Sequence, residues 1–242
     1  MKVQVLYQPS YSLAVVSLGP DEPIQAEGGA MVSMTANIEI QTGMKGGVLG
    51  ALKRSVLGGE SLFFNTFIPR GGPGEITLAP ALPGDLNVRE MKNETFYIQS
   101  GSFIASPPTV NVDATWGGAR TFFGSEGLFL LKAVGDGAVL FSSYGAIHTV
   151  ELAGQPYIVD TGHVVGFTSG LQFEVRRVGG WKSTVLSGEG LVCEFRGTGT
   201  LYLQTRSSQA FLQWLVPKLP KGGASGGGRG SGTLLGGLLG NE

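Results

Sequence analysis

Short runs in which apolar and polar residues alternate, separated by glycine-containing turns, make up most of this 242-residue chain. Such runs cover residues 36–40, 109–112 and 171–175, where apolar side chains fall at every second position. Side chains alternate between the two faces of a β-strand, so each run predicts a strand with one apolar face. The pattern therefore predicts an all-β fold of many short strands.

One phrase within this pattern occurs three times. It reads GESLFFNTF, SEGLFLLKA and GEGLVCEFR, and its glutamates are Glu60, Glu126 and Glu189, which are 66 and 63 residues apart. In each copy, an apolar run leads through a short glycine-containing turn to a second apolar run. This arrangement is typical of a β-hairpin, and we expect a hairpin in all three copies.

A glycine upstream of each phrase marks a second repeated feature. Gly29, Gly101 and Gly162 are 72 and 61 residues apart, and each stands where a turn passes into a new apolar run. The two features together define a unit of glycine turn, two strands and hairpin. Self-similarity at such a period is the sequence signature of a repeat architecture.

The expected fold class is all-β, with three tandem repeats of a short double-stranded β-helix or sandwich unit in a pseudo-threefold arrangement. We place the units at about residues 1–92, 93–156 and 157–206, within a single triplicated domain over 1–220. Residues 44–59 have apolar side chains at helical spacing and predict a short inserted helix, although their glycines also fit a loop. A helix at 207–219 and a flexible glycine-rich tail at 221–242 complete the chain.

The C-terminal helix begins at Ser207 or Ser208, because a serine hydroxyl can accept a hydrogen bond from a free amide of the first turn. Its apolar stripe includes Phe211 and Trp214, and we expect this stripe to pack on the β domain, with binding to another protein as the alternative. The tail contains the apolar run TLLGGLLG. This run is either part of a disordered tail or docks in a groove of its own or a neighbouring chain.

Repeated units of a few strands leave unpaired sheet edges, which are a liability for a soluble protein. A row of three units still has two free edges. The edges can be covered by further copies of the chain in a heterologous ring, so we expect a cyclic oligomer, with a closed pseudo-threefold monomer as the alternative.

Composition narrows the possible partners. Glycine accounts for 41 residues, charged residues for only 14%, and the net charge is −1 without a dense basic run. Nucleic-acid binding, which needs a basic face, is therefore disfavoured. The single cysteine, Cys193, lies in an apolar run and is expected to be a buried hydrophobe. The absence of a signal peptide and of an 18-residue apolar stretch leads us to expect a cytoplasmic protein without a membrane span.

Candidate catalytic chemistry is sparse. His148 and His163 are the only histidines, and Asp160 is better explained as a turn residue that accepts backbone amides than as a metal ligand. The three repeated glutamates can form an acidic ring that binds a cation, but a turn glutamate more often accepts backbone hydrogen bonds. We therefore assign no catalytic, cofactor-binding or metal-binding residues and no cofactor. The six repeat-equivalent positions are Gly29, Gly101, Gly162, Glu60, Glu126 and Glu189.

The order AEGGAMVSM, GGVLGALKRSVLGGESLFFNTF, YIQSGSFIAS, GSEGLFL and VDTGHVVGF resembles the altered-inheritance-of-mitochondria family, formerly domain of unknown function 124. The resemblance covers nearly all of residues 1–219 and is most specific in GGESLFFNTF. It implies a fold like that of the tryptophan RNA-binding attenuation protein, with three chains forming a ring of nine units. It implies no catalytic residues, and a fungal relative is associated with mitochondrial inner-membrane organisation.

Three functions remain open at this point. The first is a non-enzymatic scaffold or assembly protein, a homotrimer that contacts an unknown protein partner or a membrane face. The second is a module that binds a small ligand between adjacent units, which a polar-lined pocket at an inter-unit boundary would favour. The third, an enzyme such as a hydrolase, needs side chains from different repeats to converge.

Overall fold

The computed structural model describes residues 1–42, 64–113, 129–177 and 191–219. These residues are mostly in antiparallel β-strands, with one short α-helix near the C-terminus, as the sequence predicted. The strands fall into three consecutive stretches, residues 1–78, 86–142 and 147–204, which we call the first, second and third segments.

The described residues of the first segment contain seven strands: β1 (Lys2–Leu6), β2 (Leu13–Leu18), β3 (Ile24–Glu27), β4 (Met31–Met34), β5 (Ile38–Thr42), β6 (Phe64–Pro69) and β7 (Gly74–Leu78). β7 lies between β2 and β4, and β6 lies between β3 and β5. β1 pairs with β2, which gives a four-stranded sheet in the order β1-β2-β7-β4.

The second segment contains β8 (Leu86–Gln99), β9 (Phe103–Ser106), β10 (Val110–Asp113) and β11 (Leu130–Ser142). β11 pairs with β8 along its whole length. The last part of β11 also pairs with β9, and its first part also pairs with β10.

The third segment contains β12 (Ile147–Ala153), β13 (Tyr157–Asp160), β14 (Val164–Thr168), β15 (Leu171–Arg177) and β16 (Leu191–Gln204). The last part of β16 lies between β12 and β14, and its first part lies between β13 and β15. The same order of pairings therefore occurs in all three segments. The strands outside the four-stranded sheet form one twelve-stranded sheet, along the path β12-β16-β14-β8-β11-β9-β3-β6-β5.

The predicted hairpins are wrong. In the first segment, the expected hairpin corresponds to β6 and β7, which do not pair with each other. β6 pairs with β3 and β5, and β7 pairs with β2 and β4. In the other segments the two apolar runs belong to a single strand, β11 or β16. Gly135 and Gly197 have φ of +138° and +108°, so the backbone bends at these points without reversing. A Cβ atom at either position would overlap with a neighbouring backbone carbonyl oxygen, that of Thr109 or Gly170, which explains the need for glycine.

The described residues form three hydrophobic cores, one for each segment, and each of the first two cores includes side chains from the next segment. The core of the first segment includes Ile104 and Ala105 from β9. The core of the second segment includes Val165 from β14. The third core is formed around Phe167, Phe195 and other residues of its own segment, with Leu130 from β11. The segments are thus packed as a continuous row.

The C-terminal helix, α1 (Ser208–Leu215), is capped by Ser207, whose Oγ accepts a hydrogen bond from the amide of Ala210 at 3.3 Å. The expectation that its apolar stripe packs on the β domain is wrong, because none of its residues is buried. Phe211 makes an edge contact with Tyr144 at 6.1 Å, but Trp214 remains 58% exposed.

Other expectations concern parts of the chain that the structure does not describe. The inserted helix at 44–59 and the tail at 221–242 lie outside the described residues. The unit boundaries stay a prediction, and β8 continues across the boundary placed after residue 92. Within the described ranges, no helix is both long and apolar enough to cross a membrane.

Candidate assembly surface

The three repeated glycines mark equivalent turns. Gly29 has a φ of +91°, whereas Gly101 and Gly162 lie in short 3-10 helices, Ser100–Ser102 and Thr161–His163. The turns lead directly into β4, β9 and β14. The structure thus gives the glycines a shared place in the chain path, and they carry no side chain for chemistry. The repeated glutamates, Glu60, Glu126 and Glu189, all lie outside the described residues.

The other candidate groups have structural partners. Asp160 accepts a hydrogen bond from the amide of Gly162 at 2.8 Å, which confirms its interpretation as a turn residue. The Nδ1 atom of His163 lies 2.7 Å from the carbonyl oxygen of Gln204, and His148 is exposed on β12. Cys193 is fully buried, as predicted. Across the described ranges, no three His, Cys, Asp or Glu side chains cluster as metal ligands would.

Adjacent segments are joined by the same type of strand pairing. β9, which follows Gly101, pairs with β3 of the first segment. β14, which follows Gly162, pairs with β8 of the second segment. We call these two junctions between segments the first seam (β3 with β9) and the second seam (β8 with β14). At both seams, the strand after the glycine turn lies between its own segment and the preceding one. β9 is completely buried, and β14 is buried except at its last residue.

β4 is the corresponding strand after Gly29, and no described strand pairs with it as β3 pairs with β9 and β8 pairs with β14. Its only described partner strand is β7. Met31 and Val32 are 38% and 58% exposed. The residues at the same two positions after the other glycines are all at most 1% exposed: Phe103 and Ile104 in β9, and Val164 and Val165 in β14. The first segment therefore presents an apolar strand of a type that is covered elsewhere in the chain.

We call β4 and β13 the two open strands, because each has only one partner strand among the described residues. β13 lies in the third segment, at the other end of the row from β4. It precedes Gly162 as β3 precedes Gly29, but its only described partner strand is β16. Ile158 is 54% exposed. At the equivalent position in β8, Tyr97 stacks on Phe167 of β14 with a ring distance of 5.1 Å. Among the described residues, no strand places a side chain across from Ile158 as Phe167 is placed across from Tyr97.

A charged group lies directly beside this open strand. Glu194 is opposite Ile158 in the pairing of β13 with β16. Its carboxylate binds Arg196 and Arg176, each at 2.6 Å. The hydrogen bond from Arg196 lowers the pKa of Glu194 below its usual value, and the charge of Arg176 adds to the effect. The carboxylate therefore stays ionised at neutral pH, with its charge balanced within the third segment.

Polar side chains fasten the seams inside the chain. The buried Oδ1 atom of Asp85 accepts hydrogen bonds from Gln8 at 3.0 Å, Ser12 at 3.0 Å and its neighbouring amide at 2.8 Å, which ties residues 8–12 to the start of β8. At the second seam, Arg89 donates to Glu94 at 2.9 Å and to Tyr202 at 3.2 Å. Burial lowers the pKa of Arg89, but these partners outweigh it and the net pKa is raised.

An open cleft of about 640 Å³ lies at the seam between the first and second segments. Glu22 and Lys2 line it from the first segment, and Glu90 and Thr109 line it from the second. Glu22 also binds the N-terminal ammonium group, which lowers the pKa of this carboxylate. The cleft is open to solvent and combines charges of both signs with proline surfaces.

Sequence reasoning missed the open strands, although their signal was present. The pairs Met-Val, Phe-Ile and Val-Val occupy positions two and three after the repeated glycines. Three equally apolar pairs predict three equally buried positions. Only the structure reveals that one of the pairs is exposed.

Comparison with known proteins gives several matches, among them the following three. An uncharacterised protein of Streptococcus pyogenes serotype M6 is 28% identical over 218 residues, which cover 87% of this chain and 88% of that protein. A crystal structure of a Streptococcus pyogenes protein has a TM-score of 0.75 at 26% identity, with 90% of this chain and 99% of that chain covered. A family model described as mitochondrial biogenesis AIM24 matches residues 3–206.

Proposed function

Because the chain belongs to the mitochondrial biogenesis AIM24 family, we propose that it is a non-enzymatic scaffold that assembles from identical copies into a homotrimeric ring. The function of such a protein lies in the surfaces that the assembled ring holds at fixed positions. We place it in the cytoplasm, consistent with a single buried cysteine.

One observation carries this proposal: the row of segments ends in two complementary open strands. β4 has the position of a strand that inserts beside a preceding segment, and β13 has the position of a strand that receives one. Exposed apolar edge strands invite pairing with another chain. Since the two edges differ, the contact is heterologous, and repeated contacts of this kind close into a ring when the rotation between copies permits.

The surface that meets a membrane or a partner is α1, in this proposal. Phe211, Leu212 and Trp214 are 38%, 53% and 58% exposed, and Val216 and Leu219 just beyond the helix are also exposed. The described residues 195–219 contain three basic residues, Arg196, Arg206 and Lys218, and neither Asp nor Glu. Exposed aromatic and aliphatic side chains with nearby basic groups suit the interface of an anionic lipid surface.

The assembly is tested by native mass spectrometry and light scattering of the wild-type protein over a dilution series. We expect a species of three times 25.2 kDa that dissociates only at high dilution. A monomer at micromolar concentration contradicts the proposed function. For α1, cosedimentation with vesicles containing anionic lipid should fall on Trp214→Ser, while Ile40→Ser, which alters an exposed apolar residue on β5, serves as the control.

A second candidate function is binding of a small ligand at the inter-segment cleft. The supporting observation is the position of this cleft at the seam, with carboxylates of Glu22 and Glu90 on its two sides. Native mass spectra recorded under mild conditions test it. A retained adduct of constant mass that is lost in Glu90→Arg supports ligand binding, and adduct-free protein argues against a tightly held ligand.

A further inference from the structure

The two seams inside the chain share one register. In the first seam, Ala26, three residues before Gly29, lies opposite Ala105, four residues after Gly101. In the second seam, Ile98 lies opposite Gly166, and these residues are again three before and four after the corresponding glycines. The neighbouring pairs, Gln25 with Ser106 and Tyr97 with Phe167, follow the same rule.

We infer that β13 of one copy pairs antiparallel with β4 of a second copy in this same register, and that this contact is the third seam of the structure. The rule places Val159 opposite Ser33 of the second copy, and Ile158 opposite Met34 of the second copy. This inference rests on the proposed self-assembly and specifies its geometry. A register shift by one residue would turn each side chain to the wrong face, so the register is a strong constraint.

The third core supports this pairing, because it lacks a residue that the other two cores have. Ile104 of the second segment completes the first core, and Val165 of the third segment completes the second. Both are third after the repeated glycine, and the remaining residue at this position is Val32. Within the described residues, the third core receives nothing from a following segment. A second copy paired in this register brings Val32 to that place.

The shape of β4 is already suited to the role. The pairing of β4 with β7 has a register irregularity between Met31 and Ser33. β9 and β14 have irregularities at the same positions, two and four residues after their glycines. Because β9 and β14 adopt this bulged form while inserted in a seam, β4 needs no rearrangement to insert in one.

The inferred pairing joins two chains, since β4 and β13 belong to opposite ends of the row and do not pair with each other within one chain. The path of the large sheet runs from β12 and β16 in the third segment, through the second segment, to β6 and β5 in the first. β13 pairs with β16 at one end, and β4 belongs to the first segment at the other.

The register is tested with cysteine pairs. One protein carries Met34→Cys and another carries Ile158→Cys, and the two are mixed under conditions that allow exchange of copies before mild oxidation. Residues directly opposite in an antiparallel pair have Cβ atoms about 4.5–5.5 Å apart, which is near disulfide range. We expect a disulfide-linked dimer in the mixture and none in either protein alone. Cys193 is present in all of these proteins and is fully buried, so it should not react during mild oxidation.

The matched control replaces Met34→Cys with Ser33→Cys, one position away and exposed. The control mixture should give little cross-linking, because its side chain lies on the other face of the strand. Equal or stronger cross-linking in the control overturns the register while leaving self-assembly intact, if native spectra still show the oligomer. The absence of any oligomer would instead refute the proposed function.

Amide hydrogen exchange provides a second measurement that needs no substitution. Amides of Met31–Met34 and Tyr157–Asp160 should gain protection together as concentration rises. Protection of only one of the two strands, or of neither while the oligomer is present, contradicts the pairing.

Discussion

Replacing Val32 with lysine should dissociate the assembly while leaving the fold of the single chain intact. Val32 is 58% exposed in one chain and makes its main contacts, in our proposal, with the third core of a second copy. The control is Ile40→Lys. Ile40 is 42% exposed and lies on β5, whose counterparts β10 and β15 take no part in either seam.

The expected effect has two parts. Full burial of a valine side chain contributes about 1.5–3 kcal/mol, so burial of the exposed half of Val32 contributes about 1 kcal/mol per junction. A lysine ammonium placed in an apolar core costs several kcal/mol more, reduced where its stem can reach water. The sum is at least about 3 kcal/mol per junction, or roughly a hundredfold weaker association at each contact.

Sedimentation velocity over a dilution series measures this directly, with circular dichroism as a check on the fold. Val32→Lys should sediment as a monomer at concentrations where wild type and Ile40→Lys are assembled. If Val32→Lys assembles as well as wild type, or if Ile40→Lys dissociates equally, β4 is not the contact strand and the reasoning fails.

Three further predictions concern the single chain. Gly135→Ala should lower the free energy of unfolding in urea by about 3 kcal/mol or more, because positive φ and overlap with a backbone carbonyl act together. Gly29→Ala should lower it by only about 1–2 kcal/mol, because Gly29 has positive φ but open space around it. Asp85→Ala should lower the free energy of unfolding by about 2–4 kcal/mol, because buried donors lose their acceptor. The control, Asn87→Ala, should lower it by less than about 1 kcal/mol. Similar losses for both variants would show that the buried network around Asp85 is unimportant. The folded-state pKa of Glu194 is lowered, so its stabilising contribution is present above the unfolded pKa, about 4.3, and disappears as pH falls through the folded value. Glu194→Gln should therefore lower the melting temperature at pH 7 and have little effect at the acid end, and an effect that grows toward low pH would contradict this sign.

The strands were predictable because alternation and repetition are local signals. The path of the chain between them was not. The glycine-containing segments around Gly135 and Gly197 predict hairpin turns, but a tight hairpin turn and a bend within one strand can both place glycine at positive φ, and no nearby residue distinguishes them. The difference is decided by distant contacts, namely the pairing of β11 with β8 over its whole length.

The candidate surface was less predictable than the fold. The apolar pair after each glycine is equally suited to burial in all three segments, so nothing local marks Met31 and Val32 as exposed. The exposure of this pair follows from strand pairing, because β9 and β14 are inserted between two segments whereas β4 pairs only with β7 among the described strands. The expectation that the apolar stripe of α1 packs on the β domain was wrong for a related reason. An apolar helical face predicts that the face is buried, but it does not indicate whether it is buried by the same chain or by another molecule.

The order of β4 and β13 along the chain has a consequence for synthesis. β4 is completed near residue 34, whereas β13 is not translated until residue 160. A nascent chain therefore contains β4 long before it contains the strand that receives β4 in the inferred pairing. In the inferred geometry β4 pairs with β13 and not with another β4, so two nascent chains that both end before residue 157 cannot join through this contact.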